Sequence, residues 1–357
     1  MRVLIEGLPT KAGTSLAVII ERLLEAWAAL GSDDELHLVQ TTAAGIAVPD
    51  AVTVHEIPVG RRHALTRIRA QNFLVPRLCR SLDADVMLGV MPATSLAPLP
   101  CPRAVIAYDF RHELLPEQFS RSVRAQRKLS YGLALRQVDG VACISERTRD
   151  DLLAPRPWLA KREIRVAYLG SDHVASWRAE PAEEPYAVAF GQFGNKNADM
   201  VIDAWAVLRD RGEAMPLKLI GMPDEARDTA EAQLRRLGLE DLVELEGWLF
   251  GEDLRRRFAS AALLAFPSNF EGFGLPPIEA MRLGIPVVIT PEPALLEVTG
   301  GHATVMSDWT ASALADGVIE ARNKTAEELD AARRRAEEFS WRGMALEVRS
   351  MLESITA

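Results

Sequence analysis

Phe266-Pro267-Ser268-Asn269-Phe270-Glu271-Gly272-Phe273-Gly274-Leu275-Pro276-Pro277-Ile278-Glu279-Ala280-Met281 has the pattern of a strand, a glycine-bearing loop and the start of a helix. Gly272 and Gly274 let the backbone approach a ligand closely, and a proline at 276 or 277 suits the first turn of a helix. The N–H groups left free at such a helix start can meet phosphate. Glu279 falls just inside the helix, where its carboxylate can accept hydrogen bonds from two adjacent ribose hydroxyls. The alternative for the same stretch is a capped helix with two solvated glutamates and no ligand.

Strand-like runs alternate with helix-like ones on the N-terminal side of this segment, at 3–6, 36–40, 52–57, 85–90, 104–108, 140–144 and 164–169. Apolar residues at helical spacing lie between them, as in Leu16, Ile19, Ile20, Leu23, Leu24 and Trp27. A polar, proline-punctuated stretch from Trp177 to Pro185 has the composition of a linker. A second series follows at 187–191, 217–220, 243–245, 263–266, 286–290 and 303–306. Alternation of this kind predicts α/β architecture with two doubly wound, mainly parallel sheets. The expected domains are residues 1–175, residues 176–338, and a terminal helix over 339–357 that packs back on the first domain. Ligands of such sheets bind beyond the carboxyl ends of the strands, so a cleft shared by the two domains is expected.

Composition narrows the function classes. The 357 residues are 48% apolar and 25% charged, as in an ordinary globular protein, and suit two cores better than one. The net charge of −9 argues against general nucleic-acid binding. No apolar run approaches the ~20 residues that span a bilayer, and the first residues lack the features of a secretion signal. Cys79, Cys101 and Cys143 are few and widely spaced, which suggests reduced thiols in the cytoplasm. The six histidines show no metal-ligand spacing, so no bound metal is expected. Two stretches are basic without any acid: Arg61, Arg62, Arg67, Arg69, Arg77 and Arg80, then Arg121, Arg124, Arg127, Lys128 and Arg136. Each predicts a helix with a basic face, solvated or resting on anionic lipid.

A second candidate loop, Gly191-Gln192-Phe193-Gly194-Asn195-Lys196-Asn197, follows the first strand of the second series and precedes a helical pattern. Lys196 there offers a point positive charge. In the first series Lys11-Ala12-Gly13-Thr14-Ser15 joins the first strand to the first helix, and Ala107-Tyr108-Asp109-Phe110 closes a later strand.

The segment EGFGLPPIE, its continuation Arg282-Leu283-Gly284-Ile285-Pro286-Val287-Val288 with Leu296-Glu297-Val298, and Phe339-Ser340-Trp341 near the end together resemble the retaining glycosyltransferases of family 4. That family has the two-Rossmann GT-B fold and a Glu-x7-Glu motif. The resemblance implies that Glu279 binds the ribose of a nucleoside diphosphate sugar. Gly272, Phe273, Gly274 and Leu275 would offer main-chain contacts to sugar and diphosphate, with Lys196 on the diphosphate. Glu271 would lie beside the transferring sugar, Gly13 near the phosphate or acceptor, and the backbone around Leu249 near the base, with Trp248 equally a core residue. Tyr108 stands where the family commonly has histidine, and Asp109 keeps its place. Tyr108 would substitute by its hydroxyl, His112 would swing in from the loop, or activity would be lost. Asn195 and Gln192 stand where many relatives carry an arginine.

What the resemblance implies as a whole is a metal-independent, retaining hexosyltransferase with no tightly bound cofactor. Its donor would be a UDP-, GDP- or ADP-sugar and its acceptor a hydroxyl of a saccharide, glycolipid or small glycoside. It would work in the cytoplasm, with peripheral membrane contact through the arginine-rich first domain as a further expectation. The alternatives are a nucleotide-sugar-binding protein with little catalysis, or another GT-B enzyme such as an epimerase.

Overall fold

The computed structural model describes residues 1–58, 63–180, 182, 184–192 and 194–357. Arg61 and Arg62 of the first basic stretch, Pro181 and Glu183 of the expected linker and Phe193 of the lysine loop lie outside the described residues. The chain forms two compact units, Met1–Gly170 with Ser340–Ala357, and Ser171–Phe339.

In the first unit the strands are β1 (Arg2–Glu6), β2 (Glu35–Thr41), β3 (Val52–Ile57), β4 (Val86–Gly89), β5 (Arg103–Ala107), β6 (Gly140–Cys143) and β7 (Glu163–Val166). They form one parallel sheet in the order β3-β2-β1-β4-β5-β6-β7. β4, β5 and β6 are buried at every position, as strands covered on both faces must be, whereas β7 at one edge is only half-buried. The order reverses beside β1, so the β1–β4 boundary is the topological switch point of this sheet.

The helix Ser15–Ala28 starts at Thr14, whose hydroxyl accepts from the Ala17 N–H at 3.4 Å, and it buries Ile19, Ile20, Leu23, Leu24 and Trp27. The terminal helix Trp341–Thr356 is capped by Ser340 and buries Trp341, Met344, Val348, Met351 and Leu352 against that helix and against β6 and β7. Its attachment tolerates no extra volume at Gly170, where an added Cβ would lie 2.2 Å from the Trp341 nitrogen. Arg349 of this helix pairs with Asp34 at 2.7 Å, and Asp34 also accepts from the chain's first amine at 2.8 Å. The first basic stretch forms the helix His63–Arg69, a π-helical turn Ala70–Leu74 and the helix Val75–Ser81; the second forms the helix Arg121–Leu135.

The second unit repeats the plan with β8 (Ala187–Phe190), β9 (Leu217–Ile220), β10 (Val243–Leu245), β11 (Leu263–Phe266), β12 (Val287–Ile289) and β13 (Thr304–Val305), all parallel in the order β10-β9-β8-β11-β12-β13. Its switch point lies between β8 and β11. The helix Ala198–Asp210 after β8 buries Val201, Ile202, Ala204, Trp205 and Leu208 in the core of this unit. Within the stretch with linker composition, Trp177 packs edge-on against His173 and Phe258 and the Glu180 N–H donates to Ser260 Oγ at 2.9 Å, while the other described residues from Arg178 to Pro185 are exposed.

Candidate active site

The loops that leave β8 and β11 meet at the switch point of the second sheet, and side chains lock them together. The Asn195 amide donates to Ser268 Oγ at 3.0 Å, to the Phe270 carbonyl at 2.9 Å and to Glu271 Oε1 at 3.3 Å. In return the Asn269 N–H donates to the Asn195 carbonyl at 2.9 Å, and Ser268 Oγ donates to the same carbonyl at 3.0 Å. Asn197 holds the left-handed conformation, φ 52°, and its amide reaches the Pro267 carbonyl at 2.8 Å. Asn195, at 3% exposure, is therefore a structural latch between the loops.

Lys196 is also buried, at 7% exposure, against the expectation that a loop lysine is most often a surface group. Its Nζ lies 2.5 Å from Glu271 Oε1 and 4.1 Å from the centroid of the Phe266 ring. The aromatic face and the carboxylate replace the water that the ammonium gives up. Glu271 Oε1 is held by two donors, while Oε2 has no partner among the described residues.

Gly274 opens the helix Leu275–Leu283 with φ +99°, and a Cβ there would lie 2.5 Å from Leu295 Cδ2. Only glycine meets both conditions. Pro276 and Pro277 delete two of the donors that a helix start normally offers, and the Ile278 N–H turns back to the Gly274 carbonyl. The N–H groups of Gly274 and Leu275 stay without an acceptor among the described residues. The Phe273 side chain is core, edge-on to Phe339 at 5.6 Å.

Glu279 is buried on the same helix, and its Oε1 lies 2.9 Å from His173 Nε2. An ionised carboxylate only accepts, so the imidazole donates. Both acids of the Glu-x7-Glu motif thus share one arrangement, with Oε1 held by a neighbouring basic group and Oε2 left over. At the head of β10, Trp248 and Phe250 are 49% and 54% exposed and stack at 6.2 Å, so the core alternative for Trp248 does not hold. Leu249 between them is half-buried.

In the first unit, Gly13 has φ +72° in the turn that Thr14 closes by donating to the Lys11 carbonyl at 2.7 Å. Asp109 caps a short helical turn by accepting from the Arg111 N–H at 3.0 Å. The Tyr108 hydroxyl is buried without a hydrogen-bond partner among the described residues, and burial pushes its pKa well above the ordinary phenol value. His112 does not sit in a loop from which it could swing. It belongs to the helix Arg111–Leu114, is buried 5.0 Å from the Tyr131 ring, and burial lowers its pKa. Among the described residues no group of three or more His, Cys, Asp or Glu side chains could hold a metal ion, and no helix is long and apolar enough to cross a membrane.

Residues 184–323, which carry Lys196, Glu271 and Glu279, match the family model described as Glycosyl transferases group 1. Over these residues the chain is similar to that family. Similar curated proteins include mannosylfructose-phosphate synthase of Agrobacterium fabrum, 37% identical over 30% of this chain and 26% of the relative. The O-antigen chain mannosyltransferase B of Escherichia coli is 30% identical over 56% of this chain and 57% of the relative. The chain thus spans between about a quarter and three fifths of these relatives. Among solved structures, sucrose-phosphate synthase of Thermosynechococcus elongatus superposes with a TM-score of 0.76 at 16% identity, covering 99% of this chain and 98% of that one. Anabaena HepE in complex with UDP-glucose superposes with a TM-score of 0.72 at 18% identity, covering 99% and 100%. Both show a shared fold, GT-B.

Two features of this site were not legible in sequence. His173 is a single histidine 106 positions before its partner, with no spacing signal to mark it. Asn195 was visible only as a missing arginine, because nothing local shows that a buried amide joins two loops.

Proposed function

We propose that the chain transfers a hexose-type sugar from a nucleoside diphosphate sugar to a hydroxyl acceptor, with retention at the anomeric carbon and without a metal ion. The observation that carries this reading is a buried lysine at the β8–β11 switch point, 2.5 Å from the first acid of the Glu-x7-Glu motif. As the bond between the anomeric carbon and the diphosphate oxygen breaks, negative charge grows on the leaving group, and a pre-placed ammonium with donors to spare stabilises it. The acceptor oxygen bonds to the anomeric carbon on the face the diphosphate leaves, and the hydroxyl proton passes to the departing diphosphate oxygen.

Glu279 binds the ribose through Oε2. The N–H groups of Gly274 and Leu275, at the positive end of their helix, face the diphosphate together with the main chain of Gly272 and Phe273. Glu271 touches the transferring sugar, and the backbone at Leu249 lies by the base. Gly13, Tyr108 and Asp109 stand at the carboxyl edge of the first sheet, the side we assign to the acceptor, where Asp109 acts through its carboxylate and Tyr108 through packing.

The mannosyl names of the relatives and the UDP-glucose of one structural neighbour support a UDP-, GDP- or ADP-hexose donor and an acceptor that is a saccharide, glycolipid or small glycoside. Leu65, Ile68 and Phe73, the last 76% exposed, stand among Arg67, Arg69, Arg77 and Arg80, which supports peripheral contact with an anionic membrane from the cytoplasmic side.

A thermal-shift screen against UDP-, GDP-, ADP- and dTDP-sugars tests the reading. A donor present at a hundred times its Kd stabilises by about 2.7 kcal/mol; no stabilisation by any of the four overturns it. The buried Tyr108 hydroxyl favours a second reading, a nucleotide-sugar-binding protein with little turnover. Hydrolysis of the bound donor in the absence of acceptor separates the two.

A further inference from the structure

We infer that His173 is a positioning residue for Glu279, holding one carboxylate oxygen so that the other is presented to the ribose hydroxyls of a nucleoside diphosphate. The inference rests on the proposed ribose role of Glu279. A buried glutamate can adopt several rotamers, and ordering a flexible side chain when the ligand arrives costs free energy. In this chain the ordering is done beforehand. His173 Nε2 lies 2.9 Å from Glu279 Oε1, with side-chain exposures of 4% and 11%.

The imidazole is itself fixed. Trp177 meets its ring edge-on at 5.6 Å and stands in turn against Phe258 at 6.0 Å. The 3-10 turn that carries it, Asp172–Ser176, is pinned at its start, where the Ser171 N–H donates to the Phe339 carbonyl at 3.0 Å and Ser171 Oγ donates to the Ala336 carbonyl at 2.8 Å. The Ser176 hydroxyl donates to the His173 carbonyl at 3.2 Å. Turn, ring and carboxylate form a rigid series that ends at Oε2. The arrangement parallels Lys196 on Glu271, so each acid of the motif is oriented by one basic side chain from a different loop.

The test is calorimetric titration of the full chain with UDP and GDP and with their 2′,3′-dideoxy counterparts, comparing the unsubstituted protein with His173→Phe, His173→Gln and Glu279→Ala. Phe keeps the ring against Trp177 and removes the donor, while the Gln amide restores a donor to Oε1. The expected result is a loss of about tenfold in ribonucleotide affinity for His173→Phe, the size of one charge-assisted hydrogen bond's effect. His173→Gln recovers most of it, and dideoxynucleotide affinity stays unchanged throughout.

Equal weakening of both nucleotide forms in His173→Phe assigns the ring a merely structural role and overturns the inference, as does unchanged ribonucleotide affinity. Loss of ribose preference in Glu279→Ala but not in His173→Phe sinks this inference alone. An unsubstituted protein that does not distinguish ribose from dideoxyribose sinks the ribose role of Glu279 as well. His173→Asn, whose shorter amide falls short of Oε1, repeats the comparison should the Phe variant not fold.

Discussion

Lys196 Nζ lies 2.5 Å from Glu271 Oε1 with the Phe266 ring 4.1 Å below it, so the cation is paired and desolvated before any diphosphate arrives. A charge held this way needs little reorganisation when the leaving group becomes more negative. Lys196→Ala is expected to lower turnover by about 100-fold or more. Melting should remain cooperative, because Asn195 still donates to Glu271. Donor-consumption kinetics beside a melting curve check this, and unchanged turnover removes Lys196 from the chemistry.

Asn195 holds two loops together from a buried position, so a cation cannot simply take its place. Asn195→Arg is expected to destabilise the protein by a few kcal/mol, since a guanidinium would be buried where the amide now serves Ser268, Phe270 and Glu271. Asn195→Ala should cost about 1–3 kcal/mol by removing the buried amide that donates to Ser268, the Phe270 carbonyl and Glu271. Chemical denaturation of both variants measures the difference.

Gly274 answers to backbone and packing together. Gly274→Ala forces a side chain into φ +99° and a Cβ to 2.5 Å from Leu295 Cδ2, so it should both destabilise the protein and reduce nucleotide affinity. Leu295→Ala in the same chain relieves the clash but not the dihedral strain, and is expected to restore only part of the loss in titrations with UDP and GDP.

Glu6, fully buried at the end of β1, makes stability depend on pH. Burial pushes its carboxyl up to about 7 from an ordinary 4.5, against the opposing hydrogen bonds from Thr94 and Gln71 and the charge of Arg67. The folded chain therefore keeps a proton that the unfolded chain has already released between those two values. Stability contributed by this group is fully present below the lower value and is lost as pH rises through the upper one, at about 1.4 kcal/mol per pH unit in between. Glu6→Gln, which imitates the protonated form, should flatten this slope in denaturation series between pH 5 and pH 8. An unaltered slope would assign the pH dependence to other groups.

Sequence alone determined the α/β alternation, the phosphate-type loop with Glu271 and Glu279, and the lysine in the loop after β8. Each is local: strand and helix periods, glycine permissiveness and a helix start are set by neighbours within a few positions. Only the tertiary structure decided that Trp177 packs against His173 and Phe258 while Trp248 is exposed, that the Tyr108 hydroxyl is buried, and that Asn195 locks two loops. It also joined His173 to Glu279 across 106 positions. The physical reason is the winding of the second sheet. Reversal of strand order beside β8 brings the loops after β8 and β11 side by side, and the packing of the helix Leu275–Leu283 against the turn Asp172–Ser176 brings an otherwise unmarked histidine to the motif. Neither contact has a local pattern in the chain.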